Sequence, residues 1–386
     1  MKKILVFILS CLPVLSTLAQ EPPRKLELKG YLETLQTVWI PGSTSNWQTM
    51  GSLKNRIDLQ WQPSEVWQFN IGLRNNLDYG QLVQSTYPFL GEYAAKDDGF
   101  FDLTHLWVSD TSFYFFSGFD RANLKLKLGK VELTAGRQRI NWGLNLVWTP
   151  NDIFNSFNYF DFDYAERPGC DGLLVEYYTG LTSSLQLAVK LDNEDSLTAA
   201  LMYRFNRWNY DFQFFGGVME EDAVIGLGWA GQIEGAGFTG EASYFRNAGR
   251  FDEDGGVFVG SVGLNYTLKD GWFLMGSYLY NSSGTTGKAG SGHLLTQYRD
   301  ISAKNFTLAR HSVFASAAYP VTPLINASLA AIVNPNDASG FAGPSVDFSL
   351  TNNLSLYFIV QVFWGEQGSE YGDYGSLGYL RLKWNF

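Results

Sequence analysis

The chain has 386 residues, with 28 lysines and arginines against 38 aspartates and glutamates and a formal net charge of −10. That acidic balance, with no basic stripe, excludes a nucleic-acid binder. Two cysteines and three scattered histidines (His105, His293 and His311) exclude a disulfide scaffold and a zinc-type ligand cluster.

The N-terminus opens Met1-Lys2-Lys3, continues with the apolar run Ile4 to Leu9, and reaches Thr17-Leu18-Ala19. A basic start, a short apolar core and a small-residue exit make a secretory signal over 1–19, leaving 20–386 as one domain. The apolar run falls short of the roughly 20 residues of a membrane helix. Ile8-Leu9-Ser10-Cys11 loosely resembles a lipoprotein processing site, but apolar sequence continues beyond it, which favours cleavage after Ala19. Cys11 then leaves with the signal and Cys170 stands alone. Too few residues separate the cleavage point from the first strand for an N-terminal plug domain.

From Leu26 onward, apolar and polar residues alternate with period two, broken by turn residues. Leu53, Ile57, Leu59 and Trp61 share one face, and Lys54, Arg56, Asp58 and Gln60 the other. Leu124, Leu126 and Leu128 alternate with Asn123, Lys125 and Lys127; Gly129-Lys130 makes a tight hairpin before Val131, Leu133 and Ala135. The scheme continues to Leu380, Leu382, Trp384 and Phe386, which oppose Tyr379, Arg381 and Lys383. Cut at the turns, the chain gives eighteen strands near 26–38, 51–61, 66–77, 112–128, 130–140, 172–179, 184–191, 197–205, 207–217, 223–231, 237–246, 257–268, 272–281, 305–318, 324–333, 341–350, 353–363 and 376–386. The 78–128 region also admits a division that gives sixteen.

Period two fixes opposite faces without saying which is wet, and a soluble sandwich alternates in the same way. Three features favour a barrel with apolar residues outside. The apolar face recurs on nearly every strand, with aromatics near strand ends. The polar face is often charged, as a watery lumen requires. Short turns (62–65, 129–130, 180–183, 269–271, 320–323, 351–353) alternate with long connections (78–111, 141–171, 247–256, 282–304, 364–375). Aromatics at 16% and 40 glycines suit interfacial girdles and bending strands. The expected fold is all-β: a transmembrane, antiparallel, up-and-down β-barrel of about eighteen strands, whose third outer loop folds inward.

The signal, the strand array and the closing strand Tyr379 to Phe386 resemble bacterial outer-membrane porins. The final phenylalanine resembles the mark read by the barrel-assembly machinery. Asp120-Arg121 to Asp171, with Gly136-Arg-Gln-Arg-Ile-Asn-Trp-Gly143 and Asp161-Phe-Asp-Tyr-Ala-Glu-Arg-Pro168, resembles a porin-like group of Gram-negative bacteria related in style to alginate-export porins. General porins place a constriction loop between strands five and six, where this count puts 141–171. The resemblance implies an outer-membrane location, contact with lipid and lipopolysaccharide, and small polar solutes or saccharides as cargo. It implies no cofactor; the oligomeric state stays open.

The candidate constriction combines Arg137, Arg139 and Arg167 with Asp152, Asp161, Asp163 and Glu166. Facing rows of opposite charge create a transverse field that orients polar solutes. The alternative is that the arginines anchor the loop by pairing with its carboxylates. Strict alternation aims Arg137 at lipid, so a bulge at Gly136 is expected to turn it and Arg139 inward. Lys54, Arg56, Arg74, Arg121, Lys125, Lys127, Lys190, Arg204, Arg381 and Lys383 are placed on the lumen, diluted by Asp58, Glu132, Asp211 and Glu241. Trp142, Trp148, Phe154, Phe157, Tyr159 and Tyr164 offer either a stacking track for sugar rings or, the favoured reading, a small core that holds the loop.

No nucleophile elbow and no phosphate-loop pattern occurs, so no enzyme is expected. The expected function is passive diffusion of small polar solutes through a lumen narrowed by 141–171. A saccharide-selective channel and a non-conducting scaffold or envelope-assembly partner are the alternatives.

Overall fold

The structure is a computed structural model that describes residues 25–42, 46–156, 167, 169–251, 255–288 and 301–386. Nineteen strands form one antiparallel sheet. They are β1 Leu26–Ile40, β2 Gln48–Trp61, β3 Trp67–Gly80, β4 Thr104–Ser109, β5 Phe113–Leu128, β6 Val131–Gln138, β7 Cys170–Tyr178, β8 Ser184–Leu191, β9 Leu197–Arg207, β10 Tyr210–Met219, β11 Asp222–Ile233, β12 Ala236–Asn247, β13 Val257–Thr267, β14 Phe273–Asn281, β15 His311–Thr322, β16 Ile325–Asn334, β17 Ser339–Thr351, β18 Leu354–Trp364 and β19 Ser376–Asn385. Each strand pairs with its sequence neighbours, except that β3 pairs with β5, and β1 pairs with β19. Eighteen strands thus close a ring, and full closure leaves no free edge. The Phe386 amide donates to the Gly30 carbonyl and the Gly30 amide to the Phe386 carbonyl, both at 3.0 Å, which adds a rung to that seam.

The eighteen predicted strands correspond one to one with the ring. The fit is loosest at β15, which starts at His311 where the pattern suggested residue 305. The 78–111 connection, read as a loop, carries α1 Gln81–Thr86, α2 Phe89–Ala94 and the extra strand β4. Val83 and Leu90 of these helices pack on Tyr114 and Phe116 of β5. Strand β4 lies beside β5 from Tyr114 to Gly118, the stretch that β6 is too short to cover. It therefore patches the wall where the chain leaves β6 at Gln138.

The faces sort as the alternation requires. Leu187, Leu201, Phe214, Ile225, Leu329 and Phe358 are exposed outward, Ile225 by 64%. Between them, inward positions such as Gln186, Gln213, Glu241, Ser261 and Ser345 are buried. Trp61, Trp67, Trp208, Trp272 and Trp384 lie at the rim of the short turns. An outside this apolar is unstable in water and suited to hydrocarbon.

The expected bulge at Gly136 is not how the arginines turn inward. The β5–β6 ladder stays in register through Asn123–Gly136 and Ala122–Arg137. Instead Gly136 adopts φ +106°, a conformation open to glycine, and Arg137 and Gln138 are both buried after it. A Cβ at Gly136 would stand 2.3 Å from the Ala122 carbonyl oxygen, so the position accepts no other residue without movement. The register shift lies across β3–β5, between Gly72 and Leu73. There the extra residue on β5 is Asp120, which brings consecutive Asp120 and Arg121 to the inner side.

Candidate functional site

The inner wall splits into two halves. On β1 to β6 it is charged. Arg56 pairs with Asp58 at 2.9 Å and with Asp120; Arg74 reaches Asp120 at 3.5 Å. Lys125 pairs with Glu132, whose cross-strand neighbour is Lys127. Across the closing seam, Arg381 faces Glu33 at 3.9 Å and Lys383 sits 3.7 Å above the Tyr31 ring. Arg137 binds Asp97 at 2.6 Å and Asp171 at 2.7 Å, and donates to the Phe101 carbonyl at 2.6 Å. It thus clamps the 97–103 segment of the second outer loop to the wall. Burial opposes ionisation of Asp97, but hydrogen bonds from Arg137 and from the Gly99 and Leu103 amides outweigh it and hold the carboxyl below its ordinary value.

On β8 to β15 the inner wall holds the segment 139–156. Glu241 of β12, 1% exposed, receives three backbone amides of that segment: Leu144 at 2.5 Å, Asn145 at 2.6 Å and Asn151 at 2.9 Å. The Trp142 indole N–H donates to Gln186 of β8 at 3.0 Å, and Gln213 of β10 donates to the Trp142 carbonyl at 2.6 Å. Ser243 donates to the Pro150 carbonyl at 2.9 Å. Around these bonds Trp142, Trp148 and Phe154 pack with Phe215 of β10 and Phe314 of β15. A long segment without regular structure must satisfy its backbone somehow, and here wall side chains supply the partners.

Among the described residues, cavities stand beside this packed half. One of about 1160 Å³ opens toward the long loops and is lined by Arg74, Lys96, Asp97, Asp120, Arg137, Arg167, Lys190 and Gln361, among others. The second, of about 500 Å³, lies toward the short turns, with Lys29, Asp58, Gln60, Gln68, Asn70, Arg121, Asn123, Lys125, Gln138 and Arg139 on its walls. The arginine–aspartate cluster around Asp120 and Arg137 stands between them.

The predicted residues fall into three groups. Lys54, Arg56, Arg74, Arg121, Lys125, Lys127, Arg204, Arg381 and Lys383 all lie on the inward face, and most of those described above are already paired with acids of the same wall. Trp142, Trp148 and Phe154 are 1%, 3% and 2% exposed, so they form a core and present no ring to a solute. Asp152 was placed among the charges facing the pore. It is fully buried; its Oδ1 accepts the Trp142 amide at 3.4 Å and its Oδ2 has no partner. Arg139 and Arg167 lie close to it, and Arg167 accepts a 2.9 Å hydrogen bond from Arg121 on its backbone carbonyl. Phe157, Tyr159, Asp161, Asp163, Tyr164 and Glu166 lie outside the described residues. Reading the sequence placed Glu241 on the lumen but missed its part as anchor; a lone glutamate among Gly240, Ala242 and Ser243 on a buried face is the signal that was there. Among the described residues no group of His, Cys, Asp and Glu is placed to hold a metal ion.

Closed ring, apolar exterior and hydrophilic interior define the fold as a membrane-type antiparallel β-barrel of eighteen strands. No protein-family model and no curated protein matches the sequence. Solved structures do match. OccAB4 of Acinetobacter baumannii aligns with a TM-score of 0.59 at 11% identity, covering 94% of this chain and 98% of that one. OccK11 (OpdR) of Pseudomonas aeruginosa gives 0.59 at 12% identity, with 94% and 96% covered. OprD of Pseudomonas aeruginosa gives 0.58 at 11% identity, with 94% and 95% covered. At these identities the likeness is one of fold.

Proposed function

We propose that this protein is an outer-membrane channel through which small polar solutes pass by diffusion. The observation that carries the reading is the sorting of faces around a closed ring: apolar side chains outside on the strands all round, ion pairs, carboxamides and two cavities inside. An apolar girdle fixes the barrel in a bilayer, and a hydrophilic interior replaces part of a solute's hydration. OprD, one of the barrels it resembles, is an outer membrane protein, which supports the location. Segment 139–156 takes up the β8–β15 half of the lumen and acts as the constriction, leaving a path along the charged β1–β6 wall. In that path Arg139 and Arg167 supply the positive side, and paired arginines such as Arg56 and Arg137 hold the wall. Phe386, a rung of the closing seam, is the mark for the assembly machinery.

A second reading, selectivity for saccharides, draws support from the lower cavity. Gln60, Gln68, Asn70, Asn123 and Gln138 line it, with Gln68 donating to Asn70 and Asn70 to Asn123 at 2.9 Å each. Carboxamides donate and accept, which matches hydroxyl-rich solutes. Planar-bilayer recording of the purified protein tests both readings. Stepwise open-channel current is expected. A silent membrane leaves the scaffold reading, and current blocked by a sugar favours the selective one.

A further inference from the structure

Outward-facing carboxamides of the described strands occur on β1 to β3 alone, and two of them belong to a row that circles part of the wall. Asn55 of β2 is the cross-strand partner of Asn75 of β3; Asn75 is the partner of Ser117 of β5; Ser117 is the partner of His105 of β4. They are bonded in series. The Trp107 indole N–H donates to Ser117 Oγ at 3.0 Å, Ser117 donates to Asn75 at 2.6 Å, Asn75 donates to Asn55 at 3.4 Å, and Asn55 donates to the Tyr31 carbonyl at 3.0 Å. Leu53, Leu77 and Phe115 bound the row on the loop side, and Ile57, Leu73 and Phe119 on the turn side. At roughly 3.3 Å per residue, Asn55 lies about 20 Å of strand from the Trp61 girdle and Asn75 about 13 Å from Tyr79. The row therefore sits inside the apolar band. The wall from β10 to β13 offers Phe214, Ile225 and Val262 outward.

Polar groups facing hydrocarbon are unfavourable unless another chain meets them. The internal bonds leave each asparagine one N–H and one acceptor lone pair by simple inventory. We infer that the β1–β5 wall is the contact face for a second copy of this chain, the asparagine rows meeting across a twofold axis within the membrane. Three features select that occupant. A partner at this depth must itself be embedded in the bilayer. Carboxamides are self-complementary, so a rotated copy of the row sets donor against acceptor, as an isologous interface demands. The row holds no ionised carboxylate or ammonium, so two copies of a chain of net charge −10 meet here without like-charge repulsion. The inference rests on the membrane placement proposed above, which recovery of the chain in outer-membrane fractions tests separately.

The experiment uses the full chain. Light scattering in detergent should give the mass of two barrels. N55L/N75L should reduce it to one barrel while keeping the heat-modifiable folded band. In intact membranes, N75C should form an oxidative cross-link at double mass, whereas V262C, outward on β13, nine strands round the ring, should not; the native Cys170 is buried and silent. If N55L/N75L fails to fold, the cysteine pair still decides. A one-barrel mass for the wild type, a two-barrel mass retained by N55L/N75L, N75C cross-linking no faster than V262C, or N75C captured by a chain of another size each overturns the inference.

Discussion

Glu241 is the most informative residue to remove. Its carboxylate receives three amides of the 139–156 segment, and Glu241→Ala deletes all three hydrogen bonds at once. At about 1.5–3 kcal/mol for each hydrogen bond to a charged group, the loss is about 5–9 kcal/mol. That is an upper bound, because the freed amides hydrate once the segment lifts into the lumen. Glu241→Gln is milder. Leu144 and Asn145 both donate to Oε1, which the amide keeps, while the Asn151 amide donates to Oε2, where a carboxamide places an N–H. One bond of three is lost, roughly 1–3 kcal/mol. Glu241→Ala should therefore raise single-channel conductance and expose the peptide after Arg139 to trypsin. Glu241→Gln should do so weakly, and both variants should keep the heat-modifiable barrel. Conductance and a cleavage pattern unchanged in Glu241→Ala would refute the anchoring argument and, with it, the constriction.

Three further outcomes follow from the same geometry. Arg137→Ala strands Asp97 and Asp171 as buried carboxylates, and breaking such a pair costs about 3–5 kcal/mol; thermal unfolding should move down and the 97–103 segment should become protease-sensitive, whereas an unaltered midpoint contradicts the clamp. Glu370, in the loop 365–375, is pushed up to about 7 by burial, with Asp337 adding to it, against bonds from the Leu308 amide and Asn334. A raised carboxyl favours the protonated folded loop, so its docking is strongest below about 4.5 and weakens as pH rises through 7. The rise corresponds to about 3 kcal/mol. The protection factor of the Leu308 amide, its exchange relative to the unstructured rate at each pH, should fall between pH 5 and 8, and Glu370→Gln should flatten that profile. Replacing Arg139 and Arg167 together by glutamine should shift reversal potentials toward cations; no shift would place the selective field elsewhere.

What the sequence made legible was whatever repeats locally. Period-two runs such as Leu354 to Val362 fix a strand and its two faces without any knowledge of the neighbour, and eighteen such runs with alternating short and long joints already imply a ring. The failures share a cause. Strand β4 is held by pairing with β5, and β4 carries little alternation of its own: Thr104 to Ser109 reads as a loop until Tyr114 to Gly118 need a partner. Glu241 meets Leu144 across 97 residues of sequence, a distance at which no pattern speaks. At Gly136 the alternation asks for a redirected side chain without naming the device, because positive φ and an inserted residue both redirect a side chain and only geometry separates them. The loop aromatics divided between a solute track and a core on burial alone, which is the one property the residue types do not carry.

The seam between β1 and β19 has a consequence for damage. Every one of the eighteen staves is gripped on both sides, so cutting an exposed connection severs a tether and leaves every neighbour in place. Such a nicked hoop keeps its girth, and its fragments travel as one particle until a detergent hot enough to unzip two seams together pulls them apart.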